Sequence, residues 1–400
     1  MNFYRNRSIQ ILLLLAIYFI SAPYLNVETQ SFFYTISVFI KDMLMIVMPL
    51  TVAIFIAATI QSFKNKAVFF ILAITIFEAC SNMMSVWYAM MSAYLVSDMM
   101  PPLNIASSAA QLEALWRFPF KMPAFWSADK GVLLGLLIGL LLPFTHNKIA
   151  HKSLQAAKNT MEYLLTKIFA RLIPLFVLGF VVQMHASKML DNAITNYASL
   201  ILVLIVILVI YISFLFLLSS GLSYTRFTRH VKNLLPAGGI SLTSGCSLST
   251  MPWTISGASK NLNHPSFASA VIPTTTNIQQ IGDCIAQTLM CSMIYLQFYG
   301  HLPDLATFSA FSVAFVLARF ATAAMLGGAI FVMLPIYETY LHFNSEMIAL
   351  ILAFNVLLDP IITSSNVMAN GALCRVFERI WLKLNRMLKR TTPMKAENFI

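Results

Sequence analysis

Four ionisable side chains sit inside otherwise apolar stretches of this chain: Glu78, Asp283, Arg319 and Asp359. An ionised group in apolar surroundings is costly unless it is paired or faces a water-filled cavity. Their chemistry is therefore ion pairing, proton carriage or contact with a charged ligand. An internal pair of Arg319 with Asp283 or Asp359 is the structural alternative. Arg171 differs, because it opens an amphipathic stretch and is expected to snorkel. Beside these charges run hydroxyls and amides. Residues 241–250 read Ser-Leu-Thr-Ser-Gly-Cys-Ser-Leu-Ser-Thr, 273–283 read Pro-Thr-Thr-Thr-Asn-Ile-Gln-Gln-Ile-Gly-Asp, and 359–370 read Asp-Pro-Ile-Ile-Thr-Ser-Ser-Asn-Val-Met-Ala-Asn. Gly327-Gly328 interrupts a further apolar segment. Thr274-Thr275-Thr276-Asn277 and Thr363-Ser364-Ser365-Asn366 echo each other as three hydroxyls and an amide.

The elements that carry these residues are apolar. Of 400 residues, 59% are hydrophobic and 10% are charged, where a soluble domain carries about 25% charge. Surface-to-volume scaling leaves no way to hide that much apolar surface in a soluble fold of this length. Runs long enough to cross roughly 30 Å of hydrocarbon recur along the chain. Spans are expected at about 9–27, 33–62, 67–96, 131–144, 152–184 and 198–218, with a polar, Pro-containing stretch at 98–130. The first run follows Arg5 and Arg7 and has no prompt small-x-small cleavage site, so it reads as a span. The net charge of +11 lies in short loops: Lys64/Lys66, Lys148, Arg226 to Lys232, and Lys383 to Arg390. That places both termini in the cytoplasm by the positive-inside rule and argues against nucleic acid as a partner. The basic C-terminal run reads as a topology anchor, with anionic lipid as the alternative partner. Cys80, Cys246, Cys284, Cys291 and Cys374 form no CxxC pair and read as small buried residues. The seven His are scattered, without ligand spacing, so no enzyme is indicated and no metal centre beyond a sodium ion.

After residue 230 the Pro, Gly and hydroxyl runs break the apolar segments. Freed backbone groups must then be satisfied inside protein or around an aqueous cavity. One such run alone is explained by Ser and Thr bonding back to helix carbonyls. Four in one half, two of them echoing, point to an inverted-repeat transporter site.

These residues resemble the dicarboxylate/amino acid:cation symporter family, which includes the glutamate transporters. The resemblance covers most of the chain and is strongest beyond residue 230. Met48-Pro49-Leu50 is similar to that family's Met-Pro-Leu. Residues 244–254 resemble the tip of its first re-entrant hairpin, 316–333 the second hairpin with Thr322 and Ala323 at its tip, and 358–366 its eighth span. The resemblance implies an all-α polytopic membrane fold of eight spans and two re-entrant hairpins, working as an elevator in a homotrimer of the bacterial inner membrane. Residues 1–230 would then be mainly scaffold and trimerisation spans, with spans three and six contributing to the transport domain. Residues 231–390 would be the transport core with broken spans seven and eight, and 391–400 a cytoplasmic tail.

By the same resemblance Asp359 receives a substrate ammonium, and Asn366 its α-carboxylate. Thr363, Ser247 and Thr322 supply neighbouring contacts. The departures matter as much. Acidic-substrate members carry an Arg where this chain has Ile362, so a side-chain carboxylate would go unpaired and a small neutral amino acid is expected. Arg319 as a replacement cation keeps dicarboxylates and acidic amino acids as the alternative. The family's Asn-Met-Asp-Gly-Thr run becomes Gln279-Gln280-Ile281-Gly282-Asp283, and a sodium-ligating Asp becomes Asn370. Ser81 resembles a cation ligand whose partners are replaced by Cys80 and Phe77. Hard sodium prefers oxygen ligands, so at least one sodium site should be missing. Coupling is expected to be altered, with Glu78 or Asp283 carrying a proton. An uncoupled, channel-like or exchanging member is the remaining alternative.

Overall fold

The computed structural model describes residues 7–62, 68–99, 112–116, 128–142, 148–186, 189–245, 247–276, 278–322 and 329–391. Lys64, Lys66, Cys246, Asn277, Ala323, Gly327, Gly328 and the tail beyond residue 391 lie outside the described residues. Among these residues every regular element is helical and there is no strand. In chain order the α-helices are α1 (Arg7–Ser21), α2 (Val27–Ser62), α3 (Val68–Val96), α4 (Ala128–Leu141), α5 (Lys148–Tyr163), α6 (Ala170–Ala186), α7 (Met189–Ser220), α8 (Tyr224–Ser244), α9 (Ser247–Ser259), α10 (Ser266–Thr275), α11 (Ile281–Tyr299), α12 (Leu305–Thr322), α13 (Ala329–Leu341) and α14 (Ser345–Thr391). By length and composition, Ser199–Ser220 and Leu305–Thr322 suffice to cross a membrane, and the bent α14 would make a third span.

The chain divides into two compact units. The first comprises residues 1–65, 90–201 and 289–357. Here α2 is the element on which α4, α5, α6, α12 and α13 pack. It begins earlier than the expected second span. Asn26 accepts the Thr29 N–H at 2.9 Å, and Glu28 stands in the first turn. Both features stabilise a helix start. Glycine sets the closeness of α4. A Cβ on Gly131 would stand 2.3 Å from the Pro49 carbonyl oxygen, and one on Gly135 would stand 2.6 Å from that of Ala53. Small residues four apart let helix backbones approach where no hydrophobic drive exists. The expected fifth span is interrupted by a π-helical turn, Leu164–Phe169, between amphipathic α5 and apolar α6. In the same unit α12 packs on α13, as a hairpin requires.

The second unit comprises residues 66–89, 202–288 and 358–400. Here α8 packs on α9, and α9 on α10. Gly245 turns the chain between α8 and α9 with φ +58, its N–H bonding the Ser241 carbonyl at 2.9 Å. This left-handed cap favours glycine. Helix α10 contains Pro273 and stops at Thr275; the next helix starts at Ile281. The seventh apolar stretch is thus broken at its hydroxyl-rich run.

The eighth differs from expectation. Residues 359–370 are α-helical throughout, inside one 47-residue helix. The bend falls between Asn355 and Leu357, where the Pro360 ring crowds the carbonyl four residues earlier. The cysteines also need one correction. Cys284, Cys291 and Cys374 are buried, but Cys80 is exposed, because it stands on α3 beside buried Ser81 and turns away from that face.

The C-terminal half of α14 ties the basic end of this unit together. Glu378 is buried and accepts the backbone N–H groups of Asn263 and His264 at 3.1 and 2.8 Å, as well as the Arg375 guanidinium. Arg379 donates to the Leu218 carbonyl at 2.9 Å and to that of Ser219, capping α7. His230, in the basic first turns of α8 outside the apolar spans, meets the Ser219 hydroxyl at 3.0 Å.

Candidate functional site

The second unit contains a narrow cleft lined by Ser247, Thr254, Thr276, Asn366, Val367 and Asn370. Three elements bring these residues together. Ser247 opens α9 and Thr254 lies two turns along it. Thr276 closes α10 at the break. Asn366 and Asn370 are one helical turn apart and so share a face of α14.

Each cleft amide is held. Asn366 Nδ2 donates to Asp283 Oδ2 at 2.7 Å, and the Gly282 N–H donates to Asn366 Oδ1 at 2.8 Å. Gly282 lies in the first turn of α11, where N–H groups lack partners within the helix. No larger residue fits there, since a Cβ would stand 2.5 Å from the Ile362 carbonyl oxygen and 2.9 Å from Ser365 Cβ. Gln287 Nε2 donates to the other oxygen of Asp283 at 3.2 Å. Asn370 Oδ1 accepts the Thr275 hydroxyl at 2.7 Å.

Of the residues singled out from sequence, Asp359 is exposed and stands against the hairpin turn; a Cβ on Gly245 would lie 3.5 Å from its Oδ2. Ile362 and Thr363 are buried. Ser81 is buried as well. Arg319 and Thr322 belong to the first unit. Arg319 is fully buried with its guanidinium 4.8 Å from the Phe315 ring centroid, and Thr322 donates to the Arg319 carbonyl at 2.7 Å.

Among the buried side-chain atoms that lack a hydrogen-bond partner in the described residues, those of two residues stand out. One is Glu78, 2% exposed, whose Oε2 has no partner. The other is Gln279, fully buried at the α10–α11 break, where neither Oε1 nor Nε2 is satisfied. Unsatisfied buried polar atoms are rare in native folds, and each calls for an explanation such as an ion or water. No group of three His, Cys, Asp or Glu converges among the described residues.

Asn82 was missed from sequence. Its carboxamide spans the break: Nδ2 donates to the Ile278 carbonyl at 3.0 Å, and Oδ1 accepts the Gln280 N–H at 3.3 Å. It satisfies backbone groups that helix interruption would leave bare. A signal was present, because Asn82 lies one helical turn beyond Glu78 in an otherwise apolar span.

Apolar helices, one broken at a hydroxyl-rich run, around an amide- and hydroxyl-lined cleft make a multi-pass membrane transporter of a small solute. The profile of the sodium:dicarboxylate symporter family matches residues 130–380, well over half of the chain, and the chain belongs to that family. The family comprises cation-coupled symporters of dicarboxylates or amino acids, transporters rather than enzymes. A search of curated proteins finds no match.

Proposed function

We propose that this protein is a secondary active transporter that carries a small neutral amino acid across the bacterial inner membrane. It works as an elevator of eight spans and two re-entrant hairpins in a homotrimer, with proton or reduced sodium coupling. One observation carries the substrate class. Around the cleft, α3, α9, α10, the first half of α11 and residues 358–374 of α14 contain Glu78, Asp283 and Asp359 but no Lys, Arg or His. A substrate with a second carboxylate would meet only acids there, at a cost of several kcal/mol. A zwitterion fits better, its ammonium on Asp359 and its carboxylate on Asn366, by charge-assisted hydrogen bonds.

The coupling proposal rests on Glu78 and Gln279. Ile281 and Asn370 stand where the family's sodium-binding carboxylates are expected, which supports the loss of one sodium site. Glu78, with an unpartnered oxygen, is the group a proton would neutralise. Uptake into proteoliposomes, driven separately by sodium and by proton gradients, tests both parts. Proton-driven accumulation of a neutral amino acid is expected. Glu78→Gln and Asp283→Asn should each lose proton-driven accumulation and keep exchange. If both variants still concentrate substrate against a gradient, protons are not carried at these sites.

A second reading has its own observation. Arg319 is a fully buried cation, which favours a dicarboxylate or acidic amino acid as substrate. Sodium-driven succinate or aspartate uptake that Arg319→Gln abolishes would establish it.

A further inference from the structure

Where the apolar span Ser199–Ser220 ends, cations from α8 and α14 gather. Arg379 donates to the Leu218 carbonyl at 2.9 Å and to that of Ser219. The charges of Arg226, Arg229, Arg375 and Arg379 all reach His230 in the first turns of α8. Four like charges around one point repel one another. One acid answers them, because residues 218–264 and 371–387 contain Glu378 and no other Asp or Glu. Glu378 is already committed to the N–H groups of Asn263 and His264 and to the Arg375 guanidinium. Positive charge is thus left over at this end of the second unit. We infer that it holds the phosphate of an anionic phospholipid, with Arg226, Arg229 and Arg379 as donors and Leu218 and Leu222 beside an acyl chain.

Donors are available. Arg226 and Arg229 are exposed and donate no hydrogen bond to any described residue. A guanidinium has five N–H donors, so Arg379 keeps three beyond the two that cap α7. Arg375 Nε is buried and has no partner among the described residues, and such a donor calls for an explanation such as an ion. The apolar neighbours distinguish a lipid from a soluble anion. Leu217 and Leu218 at the end of the span, and Leu222 and Tyr224 just beyond it, are exposed. A soluble phosphate makes no use of them. A phospholipid does, since its acyl chains run beside the span while its phosphate lies at the level where the span ends, a level that Tyr favours. Basic pockets between helix ends suit anionic headgroups. The site is distinct from the basic run Lys383 to Arg390, and it stands whatever solute the cleft carries.

Native mass spectrometry of the full chain in detergent, titrated with dioleoyl phosphatidylglycerol and with dioleoyl phosphatidylcholine, tests this. Wild type is expected to hold the anionic lipid at least about tenfold more tightly. Arg226→Gln combined with Arg229→Gln should bring the ratio to within about twofold. Arg226→Lys with Arg229→Lys keeps the charge and should stay within about threefold of wild type. If the double Gln variant is not recovered folded, either single Gln variant should lose about fivefold. Lys152→Gln with Lys158→Gln, which removes two charges from α5 of the first unit, should leave the ratio unaltered. Equal binding of the two lipids, a ratio that Arg226→Gln with Arg229→Gln leaves unaltered, or one that the α5 variant lowers as much would overturn the site. Displacement of the bound lipid by an equal concentration of glycerol 3-phosphate would make the occupant a soluble anion and overturn the lipid.

Discussion

Replacing Asn82 by alanine removes the bridge across the α10–α11 break. Asn82 is fully buried. Its loss leaves the Ile278 carbonyl and the Gln280 N–H without that partner, in a place that water reaches poorly. Each unsatisfied buried group costs about 1–3 kcal/mol, so the pair is worth about 2–6 kcal/mol. With unfolding entropy growing with chain length, this corresponds to a fall of roughly 2–7 °C in the melting midpoint. The assay is thermal loss of monodisperse protein in detergent, paired with amide hydrogen exchange across residues 278–282, which should speed up. Asn82→Asp keeps an acceptor for Gln280 but cannot donate to Ile278. It also adds a negative charge one turn from Glu78, so it should be at least as destabilised. Ser85→Ala is the control: its hydroxyl donates to the Asn82 carbonyl within the same helix at 2.7 Å, and its loss should shift the midpoint far less. If Asn82→Ala melts with Ser85→Ala and exchange at 278–282 does not change, the bridge does not hold the break.

Gly282→Ala should destabilise the same region by about 1–3 kcal/mol, because the new methyl meets the Ile362 backbone and not a movable side chain; a melting midpoint equal to the wild type would refute the close approach. His230 is pushed down to about 4 by burial, with Arg375, Arg379, Arg229 and Arg226 adding to the shift. The unfolded chain then binds the proton that the folded one refuses, so stability should fall as pH drops from about 6.5 towards 4. Melting at pH 5 and pH 7 measures this, and His230→Gln should flatten the difference. The Glu78→Gln loss of proton-driven accumulation is read in proteoliposomes under an inward proton gradient.

Much of the fold was legible in residue order. Apolar runs of membrane length located the helices before residue 220, most of them within a few residues. Pro273 and the hydroxyls after it located the α10–α11 break, because a helix that loses an N–H must stop or find new partners. The hydroxyl-rich run 241–250 likewise marked an interruption, and the structure places its turn at Gly245. The run from Asp359 to Asn370 misled. Its hydroxyls suggested an interruption, yet Ser365 bonds back to the Ile361 carbonyl at 2.8 Å and Ser364 donates to the Gly238 carbonyl of α8 at 2.9 Å, and Pro360 displaced the bend one turn upstream.

The candidate site was legible only in part. Composition and spacing determined that the chain lives in lipid, that its second half carries broken apolar segments, and that Glu78, Asp283 and Asp359 are the acids it keeps there. Those are local properties, set by hydropathy and by backbone chemistry. Which groups answer one another was decided by tertiary structure alone. Asn82 reaches a break nearly two hundred residues away, and Asp283 takes an amide hydrogen of Asn366 across 83 positions of chain. Both contacts depend on helix faces, and the second also on a glycine small enough to let α11 touch α14; such distances are not written in the spacing of residues along a strand of sequence.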